Sequence, residues 1–190
     1  MQPKTKTDVG LVAALAAAGG LAHGVTVRNS YVFTARDREG RVKWIEEVDN
    51  LTVTQGLNDL LTKYFKGSAY TAAWFVGLVN ASGFSTFAAG DTAAQIGGSN
   101  AWAEATSYSE SVRQTLTLGS ASAGSIDNSA SKCVFSINGT ITIHGAFVVS
   151  SSTKSGTSGV IYGEAAFSVD RSLLNGDTLT VQVTLTAATA

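Results

Sequence analysis

The sequence predicts a mostly β protein, an antiparallel β-sandwich or jelly roll of about eight strands, with one packed α-helix and an N-terminal arm. Three observations carry this expectation. Apolar and polar residues alternate with period two over much of the chain beyond Gly24, as they do when successive side chains point to opposite faces of a sheet. Only one segment in the body of the chain repeats its apolar residues at helical spacing. A single proline in 190 residues leaves the strands free to donate their backbone hydrogen bonds. A chain of this length fits one domain that needs no metal or disulfide staple, with residues 1–24 as the arm and 25–190 as the sandwich.

The arm contains the apolar run Val9 to Ala22, preceded by Lys4 and Lys6 and interrupted by Gly19 and Gly20. The run is shorter than the roughly 20 residues that cross a bilayer, so no membrane partner is expected. A signal peptide is the alternative reading. The preferred one is an arm docked on a partner subunit through Val9, Leu11, Val12, Leu15 and Leu21.

Val25, Val27, Tyr31 and Phe33 then alternate with Thr26, Arg28, Ser30 and Thr34, which predicts a strand. The polar turn Asp37 to Gly40 joins it to a second strand carrying Val42, Trp44, Glu46 and Val48, forming a hairpin. Thr54 is an expected helix N-cap. Behind it Leu57, Leu60, Leu61, Tyr64 and Phe65 form one apolar stripe, read as core-facing, and Gly67 can close the helix. Trp74 to Val79 is a nearly continuous apolar run that suits a buried strand. From Asn80 to about Val112 the chain is rich in Gly, Ala, Ser and Thr, longer than the 12–15 residues usual for a loop. It is read as an extended surface loop whose aromatics tuck into the domain or a neighbour, with Phe84, Phe87 and Trp102 as candidate interface anchors.

The second half reads as strand and turn. Gln114 to Leu118 alternates weakly, and Cys133, Phe135 and Ile137 alternate clearly. Asn138-Gly139 is the dipeptide that most favours a two-residue hairpin turn, here leading to Ile141, Ile143, Phe147 and Val149. Ser150 to Gly159 connects to a strand at Val160 to Phe167. Gly176-Asp177 marks a turn before Leu179, Val181, Val183 and Leu185, whose alternate positions are all polar.

Charged residues make up only 14% of the chain, against about 25% in an average soluble domain, so its surface must be unusually neutral. Lys and Arg are scattered, which gives no basic stripe for nucleic acid. No Cys or His cluster has zinc-ligand spacing, and no cofactor motif is present. His144 reads as an exposed or hydrogen-bonded strand residue rather than a catalytic one, and Cys133 as a small buried hydrophobe. The carboxylates Glu104 and Glu110, and Glu46, Glu47 and Asp49, are close in sequence, but a glycosidase pair needs spacing across a cleft. The second group reads as a solvated strand end. The tripeptides Gly90-Asp91-Thr92 and Gly176-Asp177-Thr178 read as turns whose side chains bond local backbone. The chain is therefore expected to be no enzyme.

Several motifs in fixed order carry a resemblance. They are Asp49 to Asn58 with the helix behind it, Lys66 to Leu78, Ala88 to Thr92, and the set Trp102, Glu104, Tyr108, Glu110 and Arg113. Ser125 to Lys132, Gly145-Ala146-Phe147 and Gly176 to Leu179 complete them. Over residues 25–190 this pattern is similar to a family of small proteins encoded by tailed phages and prophages. The chain departs from the family pattern at Ala94 to Asn100, and residues 1–24 lie outside it. The resemblance implies a virion structural protein, foremost a capsid decoration (cement) protein that bridges major capsid protein subunits as a homo-oligomer, with a trimer the first expectation. It would reside on the capsid surface after assembly in the host cytoplasm. The alternatives are a tail, neck or fibre component and, from a different class, a secreted carbohydrate-binding module or glycosidase.

Overall fold

The computed structural model describes residues 25–69, 73–97 and 102–189. In chain order its elements are β1 (Val25–Arg36), β2 (Val42–Asp49), β3 (Leu51–Thr52), α1 (Thr54–Lys66), β4 (Phe75–Asn80), a 3-10 turn at Ala93–Ile96, β5 (Glu104–Ala105), β6 (Gln114–Thr115), β7 (Ser125–Asp127), β8 (Cys133–Ser136), β9 (Ile141–Val149), β10 (Ile161–Leu173) and β11 (Thr178–Thr189). They form two antiparallel sheets. The first runs β2-β1-β11-β7, with β8 beside β7 on the same edge of β11; the second runs β3-β10-β9-β4-β5, with β6 beside β5 on β4. This is the sandwich expected from the alternation, and the short strands β3, β5 and β7 extend it beyond the eight or so segments visible as patterns.

The β1–β2 hairpin forms where the polar turn predicts it. Asp37 Oδ1 accepts the backbone N–H groups of Glu39 and Arg41 at 3.1 and 2.8 Å, closing the turn. The chain then crosses between sheets at Asn50. Its amide nitrogen donates to the Tyr31 hydroxyl at 3.0 Å, and its Oδ1 accepts the Glu164 N–H at 3.0 Å, tying β1 to β10.

Two apolar layers result. The main core lies between the sheets, where Tyr31 and Phe33 of β1, Phe135 of β8 and Val181 of β11 meet Leu78 of β4, Val148 of β9 and Phe167 of β10. A second layer covers the outer face of the second sheet. There Val79, Phe147, Val149 and Ile161 are roofed by Val53, Ala93, Ile96 and Trp102. The stretch from Asn80 to Val112 tucks its aromatics into the domain, as one of the two readings has it. It is in large part a roof over β9 and β10 rather than an extended loop, because the second sheet is apolar on both faces and must be covered on both.

Three further expectations are corrected. Asn138-Gly139 makes no hairpin: β8 pairs with β11 in one sheet while β9 pairs with β4 and β10 in the other. Neither residue has the positive φ that the favoured two-residue turn requires. Instead the Asn138 N–H donates to Ser107 O at 3.2 Å, and Ile137 exchanges backbone bonds with Asp177 and Gly176. The segment is a crossover, and the dipeptide supplies polarity there rather than turn geometry.

The helix begins one residue earlier than a Thr54 cap implies. Val53 is the N-cap, in extended conformation with its side chain buried in the second layer, and Thr54 is the first helical residue. Gly67 ends the helix in the left-handed conformation, as expected. The apolar stripe, however, is not core. Leu57, Leu60 and Leu61 are 36%, 42% and 52% exposed, and Tyr64 and Phe65 79% and 75%. Helix α1 docks on β10 instead through Gly56, its one buried residue, where a Cβ would lie 2.5 Å from the Tyr162 carbonyl oxygen.

Candidate functional site

The outer face of the first sheet is a broad surface with little charge at its centre. Period-two geometry turns Ser30, Val32 and Thr34 of β1 and Thr180, Gln182 and Thr184 of β11 outward while their neighbours fill the core. The registers align them in rows across the sheet. Ile45, Thr34, Thr180 and Val134 form one row over four strands, and Asp49, Ser30, Thr184 and Asp127 another. Between them, Glu47 lies beside Val32 and Gln182. The carboxylates therefore stand on the outer strands, while Ile45 (62% exposed) and Val134 (41%) flank the central threonines. Four strands give this face a width of about 14 Å. Hydroxyl and methyl groups here can be covered without stripping water from a charge, which is what makes such a face inexpensive to bury.

The chemically distinctive residues are engaged in holding the fold. Arg113, buried, donates through Nε and Nη2 to the two oxygens of buried Glu104, each at 2.9 Å. Asp91 Oδ2 accepts Trp102 Nε1 at 3.2 Å and the Ala88 N–H at 3.1 Å. Asp177 Oδ2 accepts the Leu174 N–H at 2.8 Å and pairs with Lys43. The two Gly-Asp-Thr tripeptides are therefore the same device, an aspartate bonding the N–H three residues earlier, as the turn reading expects. Asn128 Oδ1 accepts the Val183 N–H at 2.7 Å and its Nδ2 reaches Val181 O at 3.4 Å, clamping the segment before β8 to β11.

Glu47 and Asp49 are exposed, as the solvated-end reading of their group expects, but Glu46 is not. It points between the sheets and accepts Arg171 Nε at 2.6 Å, with its side chain only 10% exposed. Glu110 accepts the Ser136 N–H at 3.1 and 3.2 Å, so it and Glu104 serve separate backbone contacts. His144 is hydrogen-bonded, as expected of a strand histidine. Its Nδ1 lies 2.6 Å from Asp170 Oδ1, and its ring stacks on Phe84 at 3.6 Å between centroids. A bulge places it there, since the register on both neighbouring strands slips between Ile143 and Gly145.

Glu164 is the least accommodated group. It is buried on the roofed side of β10, and no hydrogen-bond donor among the described residues reaches either carboxyl oxygen. Burial, followed by the nearby Asp91 charge, pushes its pKa up to about 9. Burial likewise pushes the Cys133 thiol up to about 12, and the residue is the small buried hydrophobe its pattern suggests.

Of the candidate interface residues, Val9, Leu11, Val12, Leu15 and Leu21 lie outside the described residues. Trp102 is 1% exposed and belongs to this domain's own second layer, so it is no anchor for a neighbour. Phe84 and Phe87 are partly buried against the same layer, with ring centroids 5.0 Å apart. The outer rows of the first sheet match the fully polar alternate face of the last strand, which fits a sheet side exposed or paired to another subunit. The exposed stripe of α1 is the surface that sequence reasoning missed, because an amphipathic stripe reads the same whether or not a layer covers it. Among the described residues no cluster of three or more His, Cys, Asp or Glu could hold a metal ion, and no helix is long and apolar enough to cross a membrane. No family model and no curated protein matches the chain.

Proposed function

We propose that this protein is a structural component of a tailed-phage virion, a decoration protein that packs on the capsid and bridges major capsid protein subunits. The observation that supports this reading is the outer face of the first sheet, whose rows of Ser, Thr and Gln are edged by Ile45 and Val134. Such a face can be covered by another subunit with little charge desolvation. The sandwich behind it is braced by inter-sheet ties such as Glu46–Arg171 and Asn50, so it presents a rigid surface that loses little freedom on binding. Bound copies would repeat with the symmetry of the shell, a trimer at a threefold position being the first arrangement to look for.

The test is to mix purified protein with capsids that lack it, image the particles and measure the temperature at which they release their genome. Ordered density on the shell and a higher release temperature are expected. Thr180→Lys with Gln182→Lys places two charges at the centre of the face on solvent-facing positions, and should abolish binding while leaving thermal unfolding unchanged. Density only at the tail or neck, or no binding at all, would overturn the decoration reading.

A further inference from the structure

We infer that the chain's own apolar segment Val9–Ala22 packs in cis against the exposed stripe of α1 and the groove beside it. This surface is separate from the outer face of the first sheet, and the inference does not rest on the virion reading.

The surface is incomplete as it stands. Five large apolar side chains on one helix face are exposed together, from Leu57 at 36% to Tyr64 at 79%. A contiguous apolar patch of this kind marks a site that something covers. Next to it the sandwich interior is open. One cleft of about 240 Å³ lies between Leu60 and Trp74, Leu116 and Leu118. A second of about 320 Å³ shares Leu60, Ile126, Tyr162 and Leu185 with the first. The two form a continuous apolar groove with α1 as one wall. Each part is at or below the smaller end of the roughly 300–1,000 Å³ typical of small-molecule sites, a size that suits inserted side chains.

The chain itself leads to this groove. Val27 of β1 lines the second cleft, and Val25 and Leu57 line a third of about 540 Å³ at the head of the helix. The residues that precede Val25 therefore start at the rim. Only His23 and Gly24 separate that rim from Ala22, the end of a 14-residue run (VGLVAALAAAGGLA) with no charged residue. Helix α1, with 13 residues, is about 20 Å long. Fourteen residues span about 21 Å even in the most compact regular form, so the run can follow the whole stripe. Its many alanines allow close approach, while Val9, Leu11, Val12, Leu15 and Leu21 supply the larger groups for the clefts. A two-residue tether gives an effective concentration on the order of millimolar or above, which favours the chain's own segment over that of another copy.

The test uses the full chain. Leu15→Cys is combined with Leu61→Cys on the stripe or, as a control, with Gln182→Cys on the outer face of the first sheet, and each is treated with a short bifunctional maleimide at low protein concentration. Intramolecular cross-linking of 15 to 61 should exceed that of 15 to 182 several-fold. In parallel, Leu11→Asp with Leu15→Asp should raise the fluorescence of an apolar-surface dye several-fold without loss of β-sheet signal. Equal cross-linking to both sites, an intermolecular 15–61 product, or unchanged dye binding in the aspartate variant would each overturn the proposal. The intermolecular product would identify a second copy as the occupant.

Discussion

Arg113 and Glu104 meet through two parallel N–H···O contacts of 2.9 Å, with neither side chain exposed to solvent. The pair also organises the connection between β9 and β10. Arg113 donates to Ser151 O and Gly156 O at 2.8 and 3.0 Å, and Glu104 Oε2 accepts the Ser155 N–H at 2.5 Å. Ser155 has φ 56°, a left-handed conformation that a serine keeps only when its surroundings impose it. The Trp-x-Glu…Tyr-x-Glu-x-x-Arg spacing thus reads physically as a staple, in which a polar pair nine residues apart holds a distant loop against the roofed sheet.

Glu104→Gln keeps the shape and removes the charge, leaving Arg113 buried without a counter-ion. The expected loss is about 3–5 kcal/mol, as for other broken buried pairs. Urea unfolding monitored by tryptophan fluorescence measures it. A loss below about 1 kcal/mol, the range of exposed pairs, would mean that water reaches the site.

Glu164 sets a pH dependence whose sign follows from its position. Its folded pKa is raised from 4.5 to about 9, so it folds protonated. The stability it contributes is complete below about pH 4.5 and is lost as pH rises towards 9, at up to about 1.4 kcal/mol per pH unit. Glu164→Gln cannot ionise and should flatten this slope. Urea midpoints of the two proteins should diverge at pH 8, with the variant the more stable, and converge at pH 4. Parallel curves across that range would contradict the assignment.

How far the sequence revealed this fold depends on how local each signal was. The β1–β2 turn and the alternation of β1, β8 and β11 are properties of contiguous residues and were legible. The Asn138-Gly139 hairpin failed because pairing is decided by which strands share a sheet. Cys133 and Phe135 of β8 face the core alongside Val181 and Leu179 of β11, and that partnership is more than 40 residues distant. The burial of Trp102, Glu104 and Arg113 was equally hidden, since a tryptophan in a Gly- and Ser-rich stretch looks the same whether it roofs its own sheet or meets another molecule. Glu46 looked solvated because a run of carboxylates at a strand end usually is; only β10, 125 residues further on, supplies Arg171.

Gly56 separates intrinsic helix propensity from tertiary packing. In an exposed helix, Gly→Ala stabilises by about 0.8–1 kcal/mol. Here the added methyl would meet Tyr162 O at 2.5 Å, an atom fixed in β10, so the helix must tilt away from the sheet. Gly56→Ala should therefore destabilise by about 1–3 kcal/mol, the usual range for overpacking, in spite of its better propensity. Hydrogen exchange should show faster exchange in α1 with β9 and β11 unchanged. A gain in stability would show that the contact between α1 and β10 yields easily.

Cys133 reports on the first sheet's far edge. Its thiol is buried and pushed up to about 12, with Asn128 Nδ2 at 3.6 Å from the sulfur, so an aromatic disulfide reagent at pH 8 should react only when β8 or the segment before it opens. Asn128→Ala removes the acceptor for the Val183 N–H and the donor to Val181 O, both buried. Leaving those groups unpaired costs about 1–3 kcal/mol. If opening is local to this edge, the same free energy should appear as an increase of about 5- to 150-fold in the labelling rate, tenfold for every 1.4 kcal/mol. An unchanged rate alongside lower global stability would place the reactive opening elsewhere and show that Asn128 does not clamp this edge.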